Sequence, residues 1–232
     1  MGMVCLILLL ASWQWEVGVR GGLPVTHSLA TESGPATSLV YGVQIPFTGF
    51  QSAERRYTVG PTVGLGLWRG FELQVDALYN RLGYESALAI INTPSSGAWA
   101  METWVRAGQW RFPAQVRYRW HHLIVGGGMA LNRIVDETER YRSTRRGLFD
   151  RQAYVGEGVS ESVGQLQRRN GLGVVASAGT SWRKGWLRVS PELRYTRITR
   201  RTIAGTGPGG FIRNNANQFE ILVAITAGRG GR

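Results

Sequence analysis

Residues 110–120, WRFPAQVRYRW, alternate between two kinds of side chain without interruption. The even positions are apolar, and the odd positions are polar or charged except for Pro113. A period of two places these sets on opposite faces of a β-strand. Because a tilted strand needs roughly 9 to 11 residues to cross a bilayer, the segment predicts one strand of a transmembrane β-barrel.

Seven further segments show the same alternation, at residues 15–23, 57–67, 71–79, 123–131, 172–182, 187–196 and 219–227. The connections alternate between long and short: we expect loops at 24–56, 85–103, 134–169 and 199–216, and turns at 68–70, 121–122 and 183–185. This asymmetry is typical of outer-membrane barrels, which have short periplasmic turns and longer extracellular loops. We therefore predict an all-β chain, an eight-stranded antiparallel up-and-down transmembrane β-barrel.

Aromatic side chains gather at the ends of the predicted strands, where girdles at the two membrane surfaces are expected. Those nearest the short turns are Trp15, Trp68, Trp120, Trp182 and Trp186. Those nearest the long loops are Tyr57, Tyr79, Trp110 and Phe219. Any single tryptophan could serve core packing, but their clustering at strand ends favours membrane-interface girdles.

The opposite parity of the strands supplies a predicted polar network inside the barrel. Its five acids and six arginines are Glu16, Arg20, Glu72, Asp76, Arg111, Arg117, Arg119, Arg188, Glu192, Arg194 and Glu220. An eight-stranded barrel is only wide enough for its own side chains, and buried charges require partners. We expect a lumen filled by side chains; a gated proton or ion path through the same carboxylates is the alternative.

Three prolines, Pro61, Pro113 and Pro191, fall inside predicted strands. Each lacks the N–H group that a strand ladder requires, so we expect it to lie at a bulge or near water. The alternation of the third strand also loses its phase around Leu82 and Tyr84. We expect a bulge or the start of the loop at that point.

The N-terminal residues 3–11 form an apolar run of nine residues. This run is too short to cross a membrane as a helix but matches the apolar core of a signal peptide, and Ala11 and Ser12 are small enough for a cleavage site. No lysine or arginine precedes it, which departs from the usual signal pattern. We expect a signal peptide at 1–13, the barrel domain at 14–228 and a short tail at 229–232. A first buried strand is the alternative for the apolar run.

The formal net charge of +12 indicates an anionic partner, either nucleic acid or a membrane surface. We expect no nucleic-acid partner, because no basic and aromatic module of the known kinds is present. We expect outer-membrane lipid as the partner, with lipopolysaccharide phosphates as candidate ligands, because arginine matches phosphate geometry. A solvated loop surface is the alternative. The arginines in question are Arg55, Arg56, Arg140, Arg142, Arg145, Arg146, Arg168, Arg169, Arg200, Arg201 and Arg213.

The three histidines are the candidates for catalysis, since small outer-membrane barrels can use Ser, His and acidic groups on lipids. His121 and His122 occupy a short turn, remote from the outer leaflet, whereas His27 lies at a loop end with Ser28 and Glu32. Nothing in the spacing fixes a catalytic geometry, and no metal-ligand or nucleotide-binding motif is present. We expect a monomeric non-enzyme without catalytic residues, cofactor or metal.

Several segments together resemble the bacterial outer membrane protein β-barrel domain family, whose members are OmpA-like eight-stranded barrels. They are RRYTVGPTVGLGL, FELQVDALYNRLGY, WRFPAQVRYRW, VGGGMALNR, LRVSPELRYTR and NQFEILVAI, and the resemblance covers about residues 15–227. It implies the barrel fold and an outer-membrane location, with roles that range over anchoring, adhesion and membrane integrity. The sequence AGRGGR after the last strand departs from the aromatic end of many such barrels.

The favoured hypothesis is an integral outer-membrane protein with a structural or surface-interaction role. The alternative is a soluble, lipocalin-like barrel whose apolar faces point inward and bind a small apolar ligand. Strand alternation fits both hypotheses. The unequal loops, the interface aromatics and the charged opposite face favour the membrane.

Overall fold

A computed structural model describes residues 14–31, 36–40, 43–91, 98–146, 153–160, 166–207 and 210–228. The predicted signal peptide at 1–13 and the tail at 229–232 lie outside the described residues. Within these ranges, no helix is long and apolar enough to cross a membrane.

The described residues form sixteen strands, numbered in chain order. Their bounds are β1 Gln14–Pro24, β2 Leu29–Thr31, β3 Ala36–Val40, β4 Val43–Ser52, β5 Arg55–Trp68, β6 Phe71–Asp76, β7 Leu78–Ile91, β8 Ala98–Trp120, β9 Leu123–Arg146, β10 Ala153–Ser160, β11 Asn170–Thr180, β12 Trp182–Lys184, β13 Leu187–Arg200, β14 Ala204–Gly207, β15 Gly210–Asn214 and β16 Asn217–Gly228. Eight wall strands of the barrel are built from them: β1, β5, β6 with β7, β8, β9, β11 with β12, β13, and β16.

The wall strands pair antiparallel in the order in which they follow one another along the chain. The last wall strand, β16, pairs with the first, β1, over nine residue pairs from Glu16 and Gly228 to Pro24 and Glu220. The sheet therefore closes on itself, and no wall strand has a free edge. The predicted eight-stranded, antiparallel, up-and-down barrel is confirmed.

One end of the barrel, here called the turn end, carries three tight connections at residues 69–70, 121–122 and 185–186. Arg69 and Gly70 have φ angles of 46° and 87°, the positive values that a type I′ hairpin turn requires at both central residues. The third turn lies beyond the predicted residues 183–185, because β12 continues the strand that far. The opposite end is called the loop end.

At the loop end, the prediction of long loops is wrong in part, because the strands extend farther into the predicted loops than expected. β8 and β9 have 23 and 24 residues, so much of segments 85–103 and 134–169 continues the barrel wall. β4 and β10 add to this extended sheet by pairing with β7 and β9. Pairing satisfies the backbone N–H and C=O groups of these segments. In β9 the local alternation is interrupted, because the strand shifts register against β8 between Val135 and Thr138.

Each of the three prolines predicted inside strands lies beside an interruption in a neighbouring strand. Pro61 on β5 and Pro113 on β8 flank Ala77, the residue that separates β6 from β7. Pro191 on β13 lies beside the break at Ser181, between β11 and β12. A proline donates no ladder hydrogen bond, so the neighbouring strand loses its regular pairing at that point. Register is kept across both breaks.

A second, apolar core lies inside the loop end of the barrel. Leu82 and Tyr84 face inward on the same parity as Asn80, and β7 runs on to Ile91. The predicted loss of phase is wrong for the pairing of β7 with β8, which keeps one register to Ile91 while the interior changes from polar to apolar. The predicted irregularity is found in the pairing of β7 with β5, which shifts register between Tyr79 and Arg81. This cap core consists of Leu29, Phe50, Leu82, Tyr84, Val105, Ala107, Ile134, Ile203 and Ile212.

Candidate functional site

The outer surface of the barrel carries an apolar band between Trp110 and Trp120. Outward side chains in the band are exposed, with Val116 50% and Met129 61% accessible to solvent. The ten residue steps from Trp110 to Trp120, with a rise of about 3.4 Å and a tilt of about 40°, span a height of roughly 26 Å. This is the height of the outward apolar band of outer-membrane barrels.

Aromatic side chains border the band at both ends, where the sequence predicted them. The turn-end ring consists of Trp15, Trp68, Trp120, Trp182 and Trp186, which are 50% to 69% exposed. The loop-end ring consists of Tyr57, Tyr79, Trp110 and Phe219. Three of its members pack against neighbouring rings: Tyr79 and Trp110 are 5.3 Å apart between centroids, and Phe219 is 4.9 Å from Tyr195.

Five buried ionised side chains form the centre of the barrel interior, here called the central ion cluster. Arg194 Nη2 lies 2.6 Å from Asp76 Oδ2, and Arg20 Nη1 lies 3.0 Å from Glu192 Oε2. Arg194 also donates to Glu192 at 3.2 Å, and Arg117 pairs with the same carboxylate. All five side chains are at most 3% exposed. Charges removed from water in this way are tolerable only when they are paired and hydrogen-bonded.

Two further acids extend the network towards the turn end. Glu16 Oε2 lies 2.5 Å from Arg188 Nη1, and Glu72 pairs with Arg119. Glu72 also lies 3.4 Å from Arg117, which connects this layer to the central ion cluster. One cavity among these side chains has a volume of about 10 Å³, at the limit of what one water molecule needs.

Towards the loop end, Arg111 Nη2 lies 2.5 Å from Glu220 Oε1. Thr58 joins this pair, because its hydroxyl donates to Glu220 at 3.2 Å and accepts from Arg111 at 2.8 Å. The structure thus brings all eleven predicted lumen side chains into ion pairs inside the barrel. It places each predicted interface aromatic on the outer face.

Neutral polar side chains complete the network, and the sequence interpretation left them out of the site. Thr62 donates to Asp76 at 2.6 Å, Gln74 donates to the same oxygen at 2.8 Å, and Ser177 donates to Gln115 at 2.8 Å. Their signal was available, because they share the inward parity of the charged residues.

The cap core closes the lumen at its loop end. Tyr84 is 1% exposed and packs edge-on against Phe50, with ring centroids 5.9 Å apart. Burial raises the pKa of the Tyr84 phenol well above its ordinary value, and the nearby Glu139 carboxylate adds to the rise. The phenol is therefore neutral at physiological pH, as an apolar plug requires.

His27 lies at the loop end with a different acid from the one predicted. Its Nδ1 is 2.9 Å from Glu54 Oε1, and its Nε2 is 2.7 Å from Arg56 Nη2. The backbone N–H of Ser28 donates to both Glu54 oxygens, at 2.8 and 2.9 Å. Glu32 lies outside the described residues. The contacts tie the end of β1 to the β4–β5 connection and supply no nucleophile to the imidazole.

The other two histidines lie at the turn end. His121 packs edge-on against Trp120 with centroids 5.4 Å apart, and His122 Nδ1 is 3.1 Å from the Ser181 carbonyl oxygen. In the part of the chain that the structure describes, no group of three or more His, Cys, Asp or Glu side chains could hold a metal ion.

A closed antiparallel barrel with an apolar outer band, aromatic borders and an ion-paired interior is a transmembrane β-barrel. No family model matches the chain, and a comparison with curated proteins finds no match.

Among solved structures, the chain is similar to Ail, the attachment invasion locus protein of Yersinia pestis, crystallised with the heparin analogue sucrose octasulfate. The identity is 7%, over 92% of this chain and 99% of that chain, with a TM-score of 0.35. It is also similar to the outer membrane protein OprG from Pseudomonas aeruginosa. Here the identity is 10%, over 94% of this chain and 96% of that chain, with a TM-score of 0.42.

Proposed function

We propose that this chain is an integral outer-membrane protein with a structural or surface-interaction role and no enzymatic activity. The observation that carries the proposal is that the apolar side chain of Val116 is 50% exposed, whereas the charged side chain of the next residue, Arg117, is 3% exposed. A soluble protein has the opposite arrangement, with apolar side chains buried and charged side chains exposed. Soluble monomers rarely expose contiguous apolar patches larger than a few hundred Å². The hydrocarbon core of a membrane is the environment in which such an apolar band is stable. A closed barrel can lie in that environment because its backbone N–H and C=O groups pair between strands.

The unequal ends of the barrel support the outer membrane as the location. Tight turns join the wall strands at one end, while β8 extends 12 residues beyond Trp110 at the other. Short periplasmic turns and long extracellular segments are the rule in outer-membrane barrels. The loop end is therefore assigned to the cell exterior.

The arrangement of side chains that the lipocalin-like alternative requires is not the one in the structure. A soluble ligand-binding barrel needs apolar side chains around an internal cavity. Here the interior holds the central ion cluster, the apolar side chains face outward, and the cap core fills the loop end. Among the described residues, the side chains that face the middle of the barrel are charged or polar, which does not suit a small apolar ligand.

The extended sheet at the loop end supports a surface-interaction role. Twelve residues of β8 beyond Trp110 correspond to roughly 40 Å of strand at about 3.3 Å per residue. This sheet stands on a cap core of its own, so the barrel anchors a folded surface outside the lipid. We propose a monomer with membrane lipid as its partner, because every wall strand already pairs with two neighbours within the chain.

Detergent-folded protein is expected to migrate differently on unboiled and boiled gels. A closed barrel with its ion-paired interior resists unfolding in detergent at room temperature, whereas boiling opens it. The measurement is gel mobility after refolding from urea into detergent micelles. Purification as a soluble monomer from the cytosol, without detergent, would contradict the membrane proposal.

The folded protein is also expected to show no steady conductance in planar bilayers. The ion pairs fill the lumen, and the cap core blocks its loop end. The measurement is single-channel current, with a general porin inserted under the same conditions as the positive control. Conductance at the level of that porin would contradict the filled lumen and leave the membrane location intact.

A further inference from the structure

Three arginines lie along a diagonal of the outer face, immediately beyond the loop-end ring. Arg81 on β7 pairs with Gly108 on β8, and Arg106 on β8 pairs with Thr138 on β9. Arg140 on β9 is two residues beyond Thr138, so each arginine is the diagonal neighbour of the next. Diagonal neighbours on one face of a sheet are about 7 to 8 Å apart, within reach of long side chains.

A groove of about 710 Å³ opens among these arginines. Gly108 lies beneath it, and a side chain there would crowd Tyr79, whose hydroxyl would be 2.9 Å from an added Cβ. Tyr79 belongs to the loop-end ring and lines the groove from below, while Trp104 lines its side. The groove therefore joins the aromatic border of the apolar band to a basic surface. We call it the arginine groove.

The arginine groove has an unbalanced positive charge. Arg81, Arg106 and Arg140 are exposed and make no ion pair with any residue that the structure describes. The carboxylates that line the groove are Asp136 and Glu157, and Glu157 lies 3.5 Å from a fourth arginine, Arg142. Two further carboxylates, Glu85 and Glu102, lie on outward positions farther from the band. An anion held between the three free guanidinium groups would relieve their mutual repulsion.

We propose that the arginine groove binds the phosphate of a phosphorylated lipid in the outer leaflet. This inference rests on the proposed function, because it takes the apolar band to lie in lipid. Tyr79 and Trp110 then mark the level of the head groups. Guanidinium forks match phosphate oxygens in pairs, and Trp110 and Phe112 below offer an apolar wall for the acyl chains. A free phosphate could use only the upper part of this surface.

The test compares two triple variants of the full barrel folded in detergent micelles. R81Q/R106Q/R140Q removes the three guanidinium groups of the groove, and R69Q/R183Q/K184Q removes the same charge from exposed residues at the turn end. Native mass spectrometry measures binding of three probes: diphosphorylated lipid A, its dephosphorylated form, and inorganic phosphate. We expect the groove variant to bind diphosphorylated lipid A at least about tenfold more weakly than wild type, since charge-assisted hydrogen bonds are among the strongest.

The control variant is expected to bind as wild type does, and the dephosphorylated lipid is expected to bind poorly to all three proteins. Unchanged binding by the groove variant, or an equal loss in both variants, would overturn the site. Inorganic phosphate that binds as tightly as the lipid would overturn the lipid as its occupant. Failure of the wild type to fold in micelles would instead overturn the membrane proposal, which gel mobility of the same samples reports.

Discussion

Glu192→Gln is expected to destabilise the folded barrel by about 3 to 5 kcal/mol, the usual cost of removing one partner from a buried ion pair. The Glu192 carboxylate pairs with Arg20, Arg117 and Arg194, all at most 3% exposed. Glutamine has the same shape but no charge, so the excess positive charge stays buried. The measurement is the free energy of unfolding in urea, followed by tryptophan fluorescence of protein folded into phospholipid vesicles.

Glu157→Gln is the matched control for that change. Glu157 also faces an arginine, Arg142 at 3.5 Å, but its side chain is 71% exposed. Exposed ion pairs contribute at most about 1 kcal/mol, so this variant should unfold almost as wild type does. Equal effects of the two changes would show that the central ion cluster is not sequestered from water.

Val116→Arg is expected to destabilise the protein by about 2 to 4 kcal/mol and to impair insertion into vesicles. Val116 lies near the middle of the apolar band, where arginine on the lipid face of a barrel has this cost. The measurement is again urea unfolding in vesicles, together with the fraction of protein that acquires the mobility of the folded form.

Leu123→Arg provides a control at a different depth. Leu123 is 52% exposed, like Val116, but pairs with Trp120 at the turn end of the band. Arginine near the interface has a cost of only about 0 to 1 kcal/mol. A Val116→Arg protein as stable as wild type would show that the band does not lie in lipid. Equal losses in both variants would show that depth is irrelevant.

The architecture could be predicted from single strands because each face of the barrel wall has one kind of environment. The outward face is apolar, and the inward face meets the polar lumen. Trp110 to Trp120 shows this most clearly, since every even residue is apolar and faces outward. Pairing partners inside the lumen could not be predicted in the same way. Arg20 and Glu192 are separated by 172 residues, and the stagger of the closed barrel decides that they meet. Local sequence carries the parity of a residue but not its partner.

The features beyond the band escaped the sequence interpretation for a related reason. Leu82 and Tyr84 are inward and apolar because Leu29 and Ile212 cover them from distant segments. The sequence does not show that these distant segments bury Leu82 and Tyr84. The change from polar to apolar residues at the inward positions of β7 therefore resembles the end of a strand. Arg81 and Arg106 similarly fall in or beside segments interpreted as loops, so their common face on neighbouring strands was not evident.

The cap core also joins the first and the last connections between wall strands. Leu29 comes from the first connection between wall strands and Ile212 from the last, so this core is complete only after every hairpin has passed through the bilayer. Its apolar contacts then lie on the far side of the lipid. Retraction of any hairpin would expose those side chains to water before the membrane could shelter them. We therefore expect the cap core to oppose withdrawal of a hairpin after the barrel has formed.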